Sequence, residues 1–307
     1  MEYCGIDLHQ KNSEIFVVND EGEVMERVRL STTRRALTRF FEMRPRMRVV
    51  MEAGGSSQWV SRIVEKANHE LVLCAPRRVR LIAESTLKSD QIDAEVLARL
   101  GRIDPGFLGR VRHSSEEAQM LRARMTSRSA LVGARVKWVN TVRGILRGFG
   151  YRVSSGTTGA FPERCRKVEL PEELQASIEP LLKQIEVVTA QIKSLEEELR
   201  EICKDHPVVE LLRTIPGVGM IVALYFVLLI DDPDRFHRSR DVAAFFGLRP
   251  AVRGSGDVQY YGKITKEGNR EMRRLLIQAA HALQQSKRSC ALKDWAEAVE
   301  KRRGKGK

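Results

Sequence analysis

The sequence predicts a mixed α/β domain at the N-terminus, followed by long helices and a mostly α-helical C-terminal region. Three patterns predict it. Residues 1–30 hold three short apolar runs separated by polar turns, the signature of adjacent strands. Residues 114–149 lack proline and carry an apolar stripe at helical spacing. Between Leu174 and Ile202 the apolar residues alternate steps of four and three.

The opening run, Tyr3-Cys4-Gly5-Ile6-Asp7-Leu8, and the second, Ile15-Phe16-Val17-Val18, are joined to Val24–Leu30 by the turn Asp20-Glu21-Gly22-Glu23, so residues 1–30 read as a three-stranded antiparallel meander. A helix follows, with Ala36, Leu37, Phe40 and Phe41 on one face behind the capping candidates Thr32 and Thr33. Then come a short buried strand at Arg48–Glu52, a helix over about 57–67 and a strand at Leu71–Cys74, giving the order βββαβαβα. In that order the first crossover strand is expected parallel to and beside the opening strand. Asp7 and Glu52 would then meet at the carboxyl ends of neighbouring strands, where open α/β sheets place their sites.

Asp7 fits a solvated role poorly, because it interrupts an apolar strand between Ile6 and Leu8. Asp90 and Asp93 sit at a helix start, three residues apart, so one helix face could present both to the sheet edge. The plainer reading of these acids is surface charge and helix-start preference, since the chain holds 40 Asp and Glu residues. The sharper one is a divalent-metal site, because clustered carboxylates are the ligands such ions take.

Lysine and arginine total 53 of 307 residues, for a formal net charge of +13 and a sequence pI near 9.8. That balance favours a polyanionic partner. Nucleic acid is favoured over a membrane, because the longest apolar run, Ile221–Ile230, is too short to span one. No charged leader followed by an apolar segment opens the chain, which predicts a cytoplasmic protein. Cys4, Cys74, Cys165, Cys203 and Cys290 are scattered and odd in number, so reduced thiols are expected rather than a disulfide frame or zinc site.

The organisation expected is 1–104, an α/β domain carrying the acids; 105–205, long helices with a Gly/Ser/Thr-rich linker at 151–170; and 206–307, a C-terminal domain. The helix over 114–149 places Ala118, Leu121, Met125, Val132, Val139, Val142 and Leu146 on its apolar stripe among many arginines. The next helix repeats Leu174, Ile178, Leu181, Ile185, Val188, Ile192, Leu195, Leu199 and Ile202, a coiled-coil pattern whose partner is either the preceding helix or another protomer.

The C-terminal region opens with Thr214-Ile215-Pro216-Gly217-Val218-Gly219 between two apolar segments. This resembles a helix-hairpin-helix element, whose amides and following helix N-terminus bind phosphate without reading sequence; a tightly packed turn would use the same glycines. Further on, Ser255 stands between Gly254 and Gly256, which suits a nucleophile or a phosphate contact, although most serines in such a setting are plain loop residues. Gly268-Asn269 then opens a helix with Ile277, Ala280 and Leu283 expected on its apolar side and Arg270, Arg273 and Arg274 on a basic face. The candidate nucleic-acid contacts are Gly217, Gly219, Arg253, Lys263, Lys266, Asn269, Arg270, Arg273 and Arg274.

Taken together, Gly5-Ile6-Asp7, Met51-Glu52-Ala53, Asp90-Gln91-Ile92-Asp93-Ala94, Ile215-Pro216-Gly217-Val218-Gly219 and Lys263-Ile264-Thr265-Lys266-Glu267-Gly268-Asn269 resemble the DEDD-type insertion-sequence transposases, the bridge-RNA-guided recombinases. The resemblance covers nearly the whole chain. It implies an RNase H-like (RuvC-like) N-terminal domain and a C-terminal transposase domain. Asp7, Glu52, Asp90 and Asp93 map to the family's metal-binding acids, and Ser255 to its nucleophilic serine. It implies Mg²⁺, as two ions about 3.5–4 Å apart, with Mn²⁺ the alternative. The product implied is a 5′-phosphoserine with a free 3′-hydroxyl. The partners implied are donor and target DNA, a structured noncoding guide (bridge) RNA, and further copies of the chain in a dimer or tetramer, with no membrane and a nucleoid-associated location in a bacterium or archaeon. Family members often continue past the equivalent of Gly304-Lys305-Gly306-Lys307 into a further helix. The other function classes are a hydrolytic junction nuclease using the same acids and a noncatalytic nucleic-acid-binding scaffold.

Overall fold

A computed structural model of the chain describes residues 1–76, 90–255 and 258–304, the side chains of 90–91, 253–255 and 258 excepted. Two compact units are formed, Met1–His113 and Ser114–Lys307. No helix among the described residues is long and apolar enough to cross a membrane.

The first unit is built on a five-stranded mixed sheet: β1 (Glu2–Leu8), β2 (Asn12–Val18), β3 (Val24–Ser31), β4 (Met47–Glu52) and β5 (Glu70–Cys74), in the order β3-β2-β1-β4-β5. β1, β2 and β3 pair antiparallel, as the meander reading predicts, while β4 and β5 join parallel to β1. The connections place helices α1 (Arg34–Glu42) and α2 (Ser57–Lys66) on one face. Thr33 caps α1 by accepting the Ala36 N–H at 3.3 Å.

Side chains alternate across a strand, so each residue's parity selects its face. Cys4, Ile6, Ile15, Val17, Met47, Val49 and Met51 pack with Leu37, Phe41, Val60 and Val64 of α1 and α2. The opposite face carries Tyr3, Phe16 and Val18 against Ala94 and Ala98, and Val50, Val72 and Cys74 against Leu97. Those partners belong to α3 (Asp90–Ile103). Gly5 allows α3 to lie on the sheet: a Cβ there would stand 2.0 Å from Ala94 O.

In the second unit, α4 (Glu116–Gly148) is capped by Ser115, whose hydroxyl accepts the Ala118 N–H. A short helix, α5 (Phe161–Arg166), lies inside the stretch read as linker, with Phe161 and Cys165 buried. Next come α6 (Glu172–Cys203), α7 (Pro207–Arg213), α8 (Met220–Ile230) and α9 (Ser239–Phe245). The hairpin β6 (Pro250–Ser255) and β7 (Val258–Ile264) precedes α10 (Arg270–Gln285) and α11 (Ala291–Arg303).

α4 and α6 pack against each other within one chain, Val139, Val142 and Leu146 meeting Leu174, Ile178, Leu182 and Ile185. The buried stripe of α6 runs through Leu182 and Cys203, where the sequence pattern chose Leu181 and Ile202. The steps from Leu174 to Cys203 average about 3.6 residues, the period of a straight helix rather than a strict heptad. The apolar α8 is the centre of a core that also takes Ala118 and Met125 of α4, Leu199 and Cys203 of α6, and Met272 and Leu275 of α10. The inner stripe of α10 is Met272, Leu275, Ala279 and Leu283. Of the three residues expected there only Leu283 is buried; Ile277 is 49% exposed, because it lies across the helix from Leu275.

Candidate active site

β1 and β4 run parallel with Ile6 paired to Met51, so the next step along both strands sets Asp7 beside Glu52. By parity both belong to the face that α3 covers. The direction of α3 follows from its contacts. Its last turn lies at the start of β1, where Arg48 Nη1 donates to Gly101 O at 3.0 Å and Arg102 Nη1 to Asp20 O at 3.0 Å. Ala98 and Ala94 lie over Gly5, so α3 runs antiparallel to β1 with its N-terminus toward Asp7.

Spacing then locates the other two acids. From Ala94 back to Asp90 is about 6 Å of helix, and from Gly5 on to Asp7 is about 6.6 Å of strand. Asp90 therefore lies at the level of Asp7, though its side chain is outside the described residues. Asp93, which is exposed, precedes by one turn Leu97, whose neighbours are Val50, Val72 and Cys74, so it lies toward β4 and β5.

Among the described residues no group of three or more His, Cys, Asp or Glu side chains is placed to hold a metal ion. The donors that Asp7 and Glu52 offer are carboxylate oxygens, which fit a hard divalent cation. The neighbourhood adds groups that sequence reasoning missed. His9 Nε2 lies 2.8 Å from Asp7 Oδ2, and the alternation of residues 7 and 9 along an extended chain was the signal for it. Ser57 Oγ donates to Gly54 O and accepts the Gly54 N–H, both at 2.8 Å, and lies 2.9 Å from His113 Nε2. These bonds fasten the loop that follows Glu52; no local pattern marks His113, which is 56 residues from Ser57. Burial, and secondarily the charge of Glu52, push the Cys74 thiol up to about 12, so it stays protonated and donates to Met51 O at 3.1 Å.

In the second unit the predicted nucleic-acid contacts divide. Gly217 has φ +87°, and a Cβ there would stand 2.3 Å from Ala279 O, so its turn packs directly on α10. Gly219, the N-cap of α8, has open space around it. Asn269 accepts the Met272 N–H at 2.9 Å as N-cap of α10 and donates to Tyr225 Oη at 3.2 Å. Arg273 Nη1 donates to Phe246 O at 3.0 Å and Gly268 O at 2.8 Å, fastening the end of α9 to the start of α10. Arg274 is paired with Glu271 on its own helix. Lys263, Lys266 and Arg270 are exposed. Ser255 ends strand β6 opposite Val258, and Arg253 lies two residues before it; both side chains are outside the described residues.

The arginines of α4 are largely tied as well. Arg128 Nε donates to Glu196 at 2.7 Å, Arg124 lies 3.8 Å from Glu198, and Arg122 donates to Ser114 at 3.1 Å.

Residues 4–150 match the model of a transposase family named for DEDD and IS110, and residues 209–296 match that of the transposase IS116/IS110/IS902 family. The chain is 31% identical to the transposase for insertion sequence element IS1328 of Yersinia enterocolitica over 286 residues, covering 92% of this chain and 83% of that protein. The chain belongs to the IS110/IS116 transposase family. A second relative, the transposase for insertion sequence element IS1111A of Coxiella burnetii, is 31% identical over 83% of this chain and 71% of its own length. As a DEDD-type insertion-sequence transposase, the protein is an enzyme of DNA recombination, and its catalytic domain is of a type that uses divalent metal. Its N-terminal unit is α/β on a mixed sheet and its C-terminal region is mostly helical.

Proposed function

We propose that this transposase cuts and rejoins donor and target DNA with Ser255 as nucleophile, at a divalent-metal site made by Asp7, Glu52, Asp90 and Asp93, under the direction of a structured noncoding guide RNA. The carrying observation is the adjacency of Asp7 and Glu52 at the carboxyl edge of β1 and β4, with α3 running its acidic N-terminus toward that edge. The strand order and this edge placement support an RNase H-like, RuvC-like reading of the first unit.

Mg²⁺ in this site, as two ions, would neutralise charge developing on the scissile phosphate and activate a weak hydroxyl nucleophile. The carboxylates of Asp7, Glu52, Asp90 and Asp93 would hold the cation. Ser255 Oγ attacks phosphorus; the Oγ–P bond forms as the P–O3′ bond breaks, Oγ gives up its proton, and the departing 3′-oxygen takes one up. The 5′-phosphoserine conserves the phosphodiester, so attack by a 3′-hydroxyl rejoins strands without ATP. Arg253 would grip phosphate near the serine, the exposed Lys263, Lys266 and Arg270 would hold DNA at the other end of the β6–β7 hairpin, and the open N-terminus of α8 at Gly219 would add a backbone contact of helix-hairpin-helix type.

The functional division is 1–104 for the acids, 105–205 for the long helices and 206–307 for the serine. The α4–α6 pair, packed within one chain as straight helices, serves as the scaffold for a dimer or tetramer, and the acids and serine of one working site come from two protomers. Base pairing of the RNA, not the protein, reads the DNA sequence.

The test is incubation with Mg²⁺, RNA from the flanking DNA and labelled donor DNA, followed by a denaturing gel of wild type, Ser255→Ala and Asp7→Asn. Label retained on wild-type protein and absent from both variants is expected. Cleaved DNA with no adduct in any protein would replace the serine mechanism with metal-dependent hydrolysis. Mixing Asp7→Ala with Ser255→Ala protein restores activity if the site is shared, and stays inactive if each chain holds its own.

A further inference from the structure

The arginines of the long helix, and Arg152 just beyond it, differ in what holds them. Toward its start they are tied, Arg124 and Arg128 to Glu198 and Glu196 of α6. Arg166 of α5 is likewise held between Glu179 and Glu186. At the far end, Arg143, Arg147 and Arg152 have no carboxylate partner among the described residues. These three line one cleft of about 390 Å³, together with Tyr151 and an apolar floor of Leu146 and Val153.

The backbone holds that group in place. Gly150 adopts φ +82°, its N–H donates to Arg147 O at 3.0 Å, and the Tyr151 N–H donates to Leu146 O at 2.9 Å. This is the Schellman pattern, which ends a helix and folds the chain back over its last turn. Tyr151 and Arg152 are thereby returned beside Arg143 and Arg147. Arg143 also lies over the Phe161 ring, 5.3 Å from its centre, which steadies it from α5. Phe149, the C-cap, is 68% exposed at the same helix end.

Cations without carboxylate partners around an apolar-floored cleft, next to aromatic rings, are what a single nucleic-acid strand requires: phosphates on the guanidiniums and unstacked bases on rings. The complementary explanation, that Arg147 merely balances the helix C-terminus, accounts for one arginine and not for the convergence of three on a cleft. We infer that the Arg143–Arg147–Tyr151–Arg152 cleft, with the exposed Phe149 at the same helix end, is a binding site for an unpaired stretch of nucleic acid. It deepens the proposed function and rests on the nucleic-acid part of that reading alone, not on the serine chemistry.

The test measures binding of the full chain to labelled oligouridylate RNA, oligothymidylate DNA and a DNA duplex, by fluorescence anisotropy over a salt series. Arg147→Ala/Arg152→Ala, both at exposed positions, should weaken single-strand binding at least tenfold and flatten its salt dependence, with a smaller change for the duplex. Phe149→Ala and Tyr151→Ala should each weaken it about tenfold, while Tyr151→Phe binds as wild type. A loss confined to RNA, to DNA, or common to both supports the site and identifies its strand. Unchanged single-strand binding in the arginine double variant, equal losses for strand and duplex, or unaffected binding in both ring-to-Ala variants would overturn it. Thermal unfolding of each variant separates a binding loss from misfolding. Single-strand binding that persists in a protein forming no serine adduct would sink the recombination mechanism and leave this site standing.

Discussion

Ala94 lies directly over Gly5: a Cβ at Gly5 would stand 2.0 Å from the Ala94 carbonyl oxygen and 2.5 Å from the Ala98 nitrogen. The obstacle is helix backbone, which cannot rotate aside as a side chain does. The same contact sets the level at which α3 delivers Asp90 and Asp93 to the edge holding Asp7 and Glu52.

Gly5→Ala should therefore lift α3 from the sheet. The expected loss of stability is about 1–3 kcal/mol, with DNA cleavage reduced more than the folded fraction would account for. Chemical denaturation and a cleavage assay on the same preparation measure the two effects; a variant with wild-type values of both would show that α3 is not seated by this glycine.

Gly217→Ala meets two obstacles at once, a φ of +87° and an approach of 2.3 Å to Ala279 O. A left-handed residue with a side chain costs about 1–2 kcal/mol and the overpacking adds about 1–3 kcal/mol, so a clear fall in melting temperature is expected. An unchanged melting temperature with weakened DNA binding would instead make Gly217 a phosphate contact.

Arg273 and Arg270 stand on the same helix with different surroundings. Arg273→Ala removes a charged donor from the Phe246 and Gly268 carbonyls and should destabilise by about 1.5–3 kcal/mol. Arg270→Ala should leave the melting temperature within about 0.5 kcal/mol of wild type while weakening DNA affinity and lowering its salt dependence. Calorimetry and DNA titrations on the two variants would expose a reversal of these roles.

Glu271 supplies a pH dependence. The Arg274 guanidinium, then the Ser129 hydroxyl, hold its carboxyl below the usual range against the opposing effect of burial. Its folded value being depressed, the contribution is present above the ordinary carboxylate pKa and is lost as pH falls through the lower, folded value. The stability gap between wild type and Glu271→Gln should be widest near neutrality and close on acidification. Melting curves from pH 7 to about 3 measure it, and a gap independent of pH would place the Glu271 effect outside its charge.

Much of the fold was legible locally. Alternating apolar residues located β1, β2 and β3, Thr33 and Asn269 were visible as helix starts, and Asp7 stood out as a charge inside an apolar run. The pairing of the strands that carry Asp7 and Glu52 was legible, and the surroundings of those acids were not. His113 reaches Ser57 across 56 residues, and Arg128 reaches Glu196 across 68; no window of sequence contains both members of either pair.

By itself the sequence determined the opening strands and the long helices, because periodicity is a property of the chain's near neighbours, and its resemblance to a transposase family supplied the acids and serine on which the proposed function rests. Only the tertiary structure decided which glycines are close approaches and which are open, and which arginines are held by a distant carboxylate and which are not. Charge in a sequence counts cations, whereas binding depends on those without an internal partner, and partners are assigned when distant elements pack.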